Sequence, residues 1–229
     1  MPLPFSVLYE DNHLLIVNKA PGVLVQGDAT GDPTLLDYAK GYLKEKYHKP
    51  GDVFLGLVHR LDRPVSGIVV LARTSKALER MNRLFKDRKT QKVYCAIVHK
   101  RPANPEDVLV NWLKKDERAN RTVAYTTERE EALRSELRYE LVMEKNGYFL
   151  LRVEPVTGRP HQIRVQLAAI GCTIQGDVKY GSPSGIDDGS IYLHAAALSF
   201  EHPVKKEQLR IAAPFRNYGL WKLFSDYSP

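Results

Sequence analysis

The stretch Val58-His59-Arg60-Leu61-Asp62-Arg63-Pro64-Val65-Ser66-Gly67-Ile68-Val69-Val70-Leu71 decides how the rest of the chain is read. Its second half, from Ser66 to Leu71, is rich in β-branched residues, which predicts a buried strand. The first half is then the loop leading into that strand, and it sets one carboxylate, Asp62, between Arg60 and Arg63. Flanking guanidiniums favour the charged form of an acid. On these residues alone, a turn aspartate in a surface ion pair fits as well as a reactive carboxylate.

Working outward toward the N-terminus, Ser6 to Tyr9 and His13 to Asn18 are apolar runs separated by Glu10, Asp11 and Asn12, the pattern of a hairpin. Thr34 to Tyr47 places Leu35, Ala39, Tyr42 and Leu43 at helical spacing, with Pro33 as its opener. Toward the C-terminus, Ser75 to Lys89 reads as an amphipathic helix. Its core stripe is Leu78, Met81 and Phe85, and its basic stripe is Lys76, Arg80 and Arg83. Gln91 to Val98 alternates as a strand carrying Lys92, Tyr94, Ala96 and Val98 on one face. A tyrosine in that company is ordinarily core, and Phe54, Tyr180 and Tyr192 are also read as core. Leu137 to Glu144 and Tyr148 to Pro155 flank Asn146-Gly147, a two-residue hairpin signal.

Farther on, His161 to Ile170 reads as a short helix with Pro160 at its first position and Gly171 at its end. Arg164 falls in its first turn, where it suits either an anion or a structural ion pair. Ser182 to Ser190 is a surface loop, and Ile191 to Phe200 a late strand. Strands in series with helices interspersed predict an α+β fold on a large mixed, mostly antiparallel sheet with flanking helices.

The 229 residues, at 26.0 kDa, suffice for one large core or at most two small domains. With 43% hydrophobic and 27% charged residues, the composition excludes a disordered or fibrous chain. No stretch approaches the ~20 apolar residues of a membrane span, and Met1 to Asn12 lacks the signal-peptide pattern, so a cytoplasmic protein is expected. Cys95 and Cys172 each lie in an apolar segment and are read as buried small hydrophobes. The net charge of +7 is concentrated: Arg73 to Arg121 holds 14 basic and 6 acidic residues. Such a stretch forms either a patch for a polyanion or a solvated basic face.

Several chemistries are excluded by what the sequence lacks. Gly176 is followed by Asp177 where a phosphate loop needs Lys and Ser or Thr. There is no GxGxxG, no GxSxG and no PCxxC of a zinc deaminase. His59 and Asp62 have no further ligand at metal spacing. Neither a metal nor a cofactor is expected.

Read together, the motifs resemble the RluA family of pseudouridine synthases, and the match runs nearly the whole chain. Leu8-Tyr9-Glu10-Asp11-Asn12-His13 and Val17-Asn18-Lys19-Ala20-Pro21-Gly22 resemble its opening strands and turn. The HRLD-x-x-x-SG segment at His59 to Gly67 is its most specific signature. Lys92-Val93-Tyr94-Cys95-Ala96, Gly158-Arg159-Pro160-His161-Gln162-Ile163-Arg164, Gly176-Asp177, Tyr180-Gly181 and Leu193-His194-Ala195 follow in order. Val65, Pro160 and Gln166 depart from the family's usual residues, and Ala20-Pro21 inverts its common Pro-Ala.

The resemblance implies the family's catalytic fold as a single domain over 1–229, with no N-terminal S4 domain. It also implies an isomerase that converts uridine in ribosomal RNA, transfer RNA or both, without a cofactor; a monomer is the default expectation for a catalytic domain that needs a long RNA footprint. Its roles transfer residue by residue: Asp62 as catalytic carboxylate, Arg164 as its partner, Tyr94 stacked on the base, and Arg60 filling the RNA stack. His59 is divided between RNA contact and loop packing, and Arg80 and Arg83 are expected to bind RNA from the basic helix. A hydrolytic N-glycosylase would need a second carboxylate, with Glu154 and Asp177 as candidates. A non-catalytic RNA-binding protein is the other alternative.

Overall fold

The computed structural model describes residues 3–28 and 30–229; Met1, Pro2 and Ala29 lie outside the described residues. In chain order the elements are β1 (Phe5–Glu10), β2 (Leu14–Lys19), α1 (Leu35–Lys46), β3 (Gly56–Leu57), β4 (Ser66–Ala72), α2 (Ser75–Lys86), β5 (Thr90–Val98), β6 (Glu106–Asp116), β7 (Arg121–Tyr125), β8 (Leu133–Lys145), β9 (Tyr148–Pro155), α3 (Gln162–Ala169), β10 (Leu193–Glu201) and β11 (Gln208–Ala212). The fold is α+β, built mostly on antiparallel strand pairs. The chain divides into two compact units, residues 1–91 with 195–214 and residues 92–194 with 215–229.

In the first unit the strands run β1-β2-β4-β10, with β3 on β4 and β11 on β10. Leu14 to Val17 and the whole of β4 are buried, so these strands carry apolar side chains on both faces. Helix α2 packs on β3 and β4, turning Ala77 and Met81 inward. It stops at Lys86, short of the expected Lys89. Helix α1 starts from Thr34, whose side chain accepts from the Asp37 backbone while Asp37 returns the bond, so Pro33 stands outside the helix.

In the second unit the strands run β5-β9-β8-β6-β7. Asn146 and Gly147, at φ 52° and 76°, turn β8 into β9 as expected of that dipeptide. Strands β6 and β7 were not expected from the sequence. In β6 the buried residues are Leu109 and Leu113, a spacing of four that fits one face of a helix as well as of a strand, and its pairing with β8 makes it a strand. Helix α3 begins at Gln162, with His161 as N-cap in the left-handed conformation at φ 54°, so Pro160 lies before the helix rather than at its first position.

Both cysteines are buried, and burial pushes the Cys95 thiol up to about 12. Tyr180 and Tyr192 are core, but Phe54 is 50% exposed, on the chain leading into β3 between the buried Val53 and Leu55. Among the described residues no helix is long and apolar enough to cross a membrane.

Candidate active site

Strand β3 runs antiparallel to β4, so residues 58–65 must loop back before the chain enters β4 at Ser66. Asp62 lies half-buried in that loop, and its carbonyl accepts from Val65 N at 3.0 Å. Gly67 then lets the strand leave: at φ 113°, a Cβ there would meet the Ala195 carbonyl oxygen at 2.4 Å, so only glycine admits the β10 backbone.

Beneath the loop is a residue whose role the sequence did not disclose. Lys19, at the end of β2, is 1% exposed. Its Nζ donates to the carbonyls of Ala20 (2.9 Å), Val23 (3.0 Å) and Arg63 (3.3 Å), tying the 20–23 turn to the Asp62 loop. Burial pushes the ammonium down to about 7; the Asp62 carboxylate pulls it back up, and the Arg63 charge adds to the lowering. The signal available in the sequence was Asn18-Lys19-Ala20-Pro21-Gly22, a lysine between a buried strand and a tight turn.

The arginines flanking Asp62 point to different tasks. Arg63 donates to the Gly22 carbonyl at 2.9 Å and pairs with Asp32 at 2.8 Å, while Gly22 N donates to the Arg63 carbonyl at 2.8 Å. Arg60 is exposed and donates to Gln26 Oε1 at 3.2 Å. His59 stacks on Phe85 with centroids 4.8 Å apart, and its Nε2 accepts from Val70 N at 3.2 Å. That acceptance places any ring proton on Nδ1.

In the second unit Tyr94 is half-buried on β5, opposite Val153 of β9. Arg164 is buried on α3 and donates bidentately to Asp177, Nε to Oδ2 at 2.7 Å and the second nitrogen to Oδ1 at 2.8 Å. Its guanidinium also lies 5.1 Å from the Tyr180 ring centroid. The Tyr180 hydroxyl accepts from Thr122 N at 2.8 Å and lies 2.7 Å from His161 Nδ1. Asp177 and Tyr180 are therefore among the residues that hold Arg164. The sequence pointed to both as landmarks of the resemblance, to Asp177 also as a candidate second carboxylate and to Tyr180 also as core, and paired neither with Arg164. Gln162 anchors the turn before α3, accepting from Thr157 Oγ1 and Arg159 N and donating to the Glu136 carbonyl.

On α2, Arg80 donates to the Pro203 carbonyl at 2.9 Å, and Arg83 forms an exposed pair with Glu79 at 3.3 Å. The structure thus places Asp62, Arg60 and His59 on one loop with Lys19 beneath it, Tyr94 on β5, and Arg164 in a buried pair. Among the described residues no group of His, Cys, Asp and Glu could hold a metal ion.

Known proteins are similar to this chain. A family model described as RNA pseudouridylate synthase matches residues 13–169, a span that includes Lys19, Asp62, Tyr94 and Arg164. Ribosomal large subunit pseudouridine synthase C of Salmonella typhimurium is 33% identical over 225 residues, covering 92% of this chain and 66% of the relative. The protein of the same name from Escherichia coli K12 is 33% identical over 221 residues, 91% of this chain and again 66% of the relative. The chain thus spans just under two thirds of the length of these curated relatives. A solved structure of human RNA pseudouridylate synthase domain containing 4 shares the fold with a TM-score of 0.78 over 96% of this chain and 92% of that one, at 23% identity. By the family match and the motifs that carry it, this chain belongs to the RNA pseudouridylate synthase family, of the RluA type that its sequence resembles.

Proposed function

We propose that this protein is an RNA pseudouridine synthase that isomerises uridine in ribosomal RNA, transfer RNA or both, with Asp62 as its catalytic carboxylate. The observation that carries the reading is Asp62 itself: a half-buried acid on a loop tied down by a fully buried lysine, within a chain of this family. The N1–C1′ bond of the uridine breaks, the uracil turns, and C5 bonds to C1′. The C5 proton leaves and N1 gains one, so the product is an isomer and no cofactor is consumed. Asp62 acts as nucleophile at C1′ or as base at C2′.

Arg164, held rigid by Asp177 and Tyr180, orients and charge-stabilises Asp62, and Tyr94 offers its ring to the detached base. Arg60 enters the space that the extruded nucleotide leaves in the RNA stack. His59 supports the loop from behind through Phe85. Helix α2 binds phosphates: the exposed Arg83–Glu79 pair is weak enough to exchange, and Arg80 braces the helix while lending its charge. The two units serve as one catalytic domain, working as a monomer in the cytoplasm.

Hydrolysis is disfavoured because neither candidate for a second carboxylate stands ready to activate water. Both oxygens of Asp177 are taken by Arg164, and Glu154 is paired with Arg152. The test is tritium release from ribosomal and transfer RNA transcripts labelled at uridine C5. Wild type is expected to release tritium and Asp62→Asn to lose at least about a thousandfold in rate, as removal of a nucleophile does. Release by Asp62→Asn at the wild-type rate would overturn the assignment.

A further inference from the structure

Beside the Asp62 loop the first unit has a cleft of about 480 Å³ that the isomerisation itself does not require. Residues 25–27, the start of α1 and residues 57–60 line it. We propose that this cleft is a second nucleotide subsite, which takes the base adjacent to the target uridine on the same RNA strand; this rests on the function proposed above.

Connectivity makes the first argument. Arg60 forms part of the cleft wall and is two residues from Asp62, so their Cα atoms are no more than about 7 Å apart. A strand that delivers one nucleotide to Asp62 therefore brings its neighbour to the mouth of the cleft. Size and lining are the second argument. The volume falls in the range of about 300–1,000 Å³ typical of small-ligand pockets. Leu36, Leu57 and Val58 supply apolar walls for the faces of a flat ring.

Hydrogen bonding is the third. Gln26 Oε1 accepts from Arg60. That bond orients the amide and directs its NH₂ to donate elsewhere, which suits a carbonyl or ring-nitrogen acceptor on a base edge. A single amide donor distinguishes bases by whether an acceptor meets it, so the cleft gives the enzyme a preference at the position flanking its uridine.

The experiment uses the full chain and a transcript in which tritium release and chemical mapping have located the converted uridine. Oligoribonucleotides carrying 4-thiouridine at the nucleotide before or after that uridine are irradiated with wild type, Gln26→Ala and Leu36→Trp, and crosslinked peptides are mapped. Crosslinks from one flanking position to residues 25–27 or 57–60 are expected. Both variants should raise KM for RNA by about tenfold, the weight of one hydrogen bond or of a blocked ring site, with a smaller fall in kcat. Conversion of the uridine with crosslinks elsewhere and KM unchanged in both variants would overturn the subsite and leave the function standing. Absence of conversion by wild type on any transcript would overturn the function, and the subsite with it.

Discussion

A lysine shut away from water needs acceptors, and Lys19 has three backbone carbonyls, one for each N–H of an ammonium. Burial nonetheless favours the neutral amine and brings its pKa to about 7. The unfolded chain holds that proton up to the ordinary value of 10.5. Between about 7 and 10.5 the unfolded state therefore binds more protons than the folded one, and stability rises with pH. It is lost again as pH falls through the folded value. Urea unfolding of wild type and Lys19→Met across that range checks this. The difference should move in favour of wild type with rising pH, by at most about 1.4 kcal/mol per unit, and a pH-independent difference would sink the account.

At the scale of elements, α3 is a helix with little of its own to hold it. It is eight residues long, starts on a left-handed His161 without a side-chain cap, and carries no acid in its first turn. What holds it is tertiary: the Gln162 anchor, the Arg164–Asp177 pair, and Tyr180, which packs with Leu113 and Val165. Asp177→Ala would remove the bidentate carboxylate from a buried guanidinium. A destabilisation of roughly 3–5 kcal/mol is expected, read as a lower thermal midpoint in calorimetry, with loss of turnover. A midpoint unchanged from wild type would mean that Asp177 does not hold Arg164.

For the molecule as a whole, charge is distributed differently from what the basic window suggests. Arg73 is committed to Glu10 and the Asp11 carbonyl and Arg80 to the Pro203 carbonyl, while Lys114 and Lys115 form exposed pairs with Glu131 and Glu117 that neutralise them only weakly. Lys86, Arg88 and Lys89, at and beyond the end of α2, are exposed. They are the better candidates for binding phosphates. Lys86→Glu with Lys89→Glu should weaken RNA binding and reduce the slope of log affinity against log salt by roughly 0.7 for each phosphate that the protein no longer neutralises. Filter binding across a salt series measures it, and an unaltered slope would place the RNA elsewhere.

Much was legible from sequence alone. The buried runs Leu14 to Val17 and Ser66 to Ala72, the Asn146-Gly147 turn and the α2 stripe depend on neighbours within a few residues, where periodicity and turn chemistry act. The HRLD and HQIR segments carried the family, because the residue types that its chemistry needs stand at short, fixed spacing. Other features depended on contacts between residues distant in the chain. Strand β6 exists through pairing with β8, Arg164 chooses Asp177 thirteen residues on, and Arg80 reaches a carbonyl 123 residues away. Lys19 gained its role only when burial removed its water and the turn and loop presented their carbonyls together. Local pattern therefore determined the buried strands β2 and β4, the β8–β9 turn and the short motifs that mark the family, but not β6 or β7. Only the tertiary structure decided which charges are neutralised and which remain available, because ion pairing and desolvation depend on what lies nearby in space.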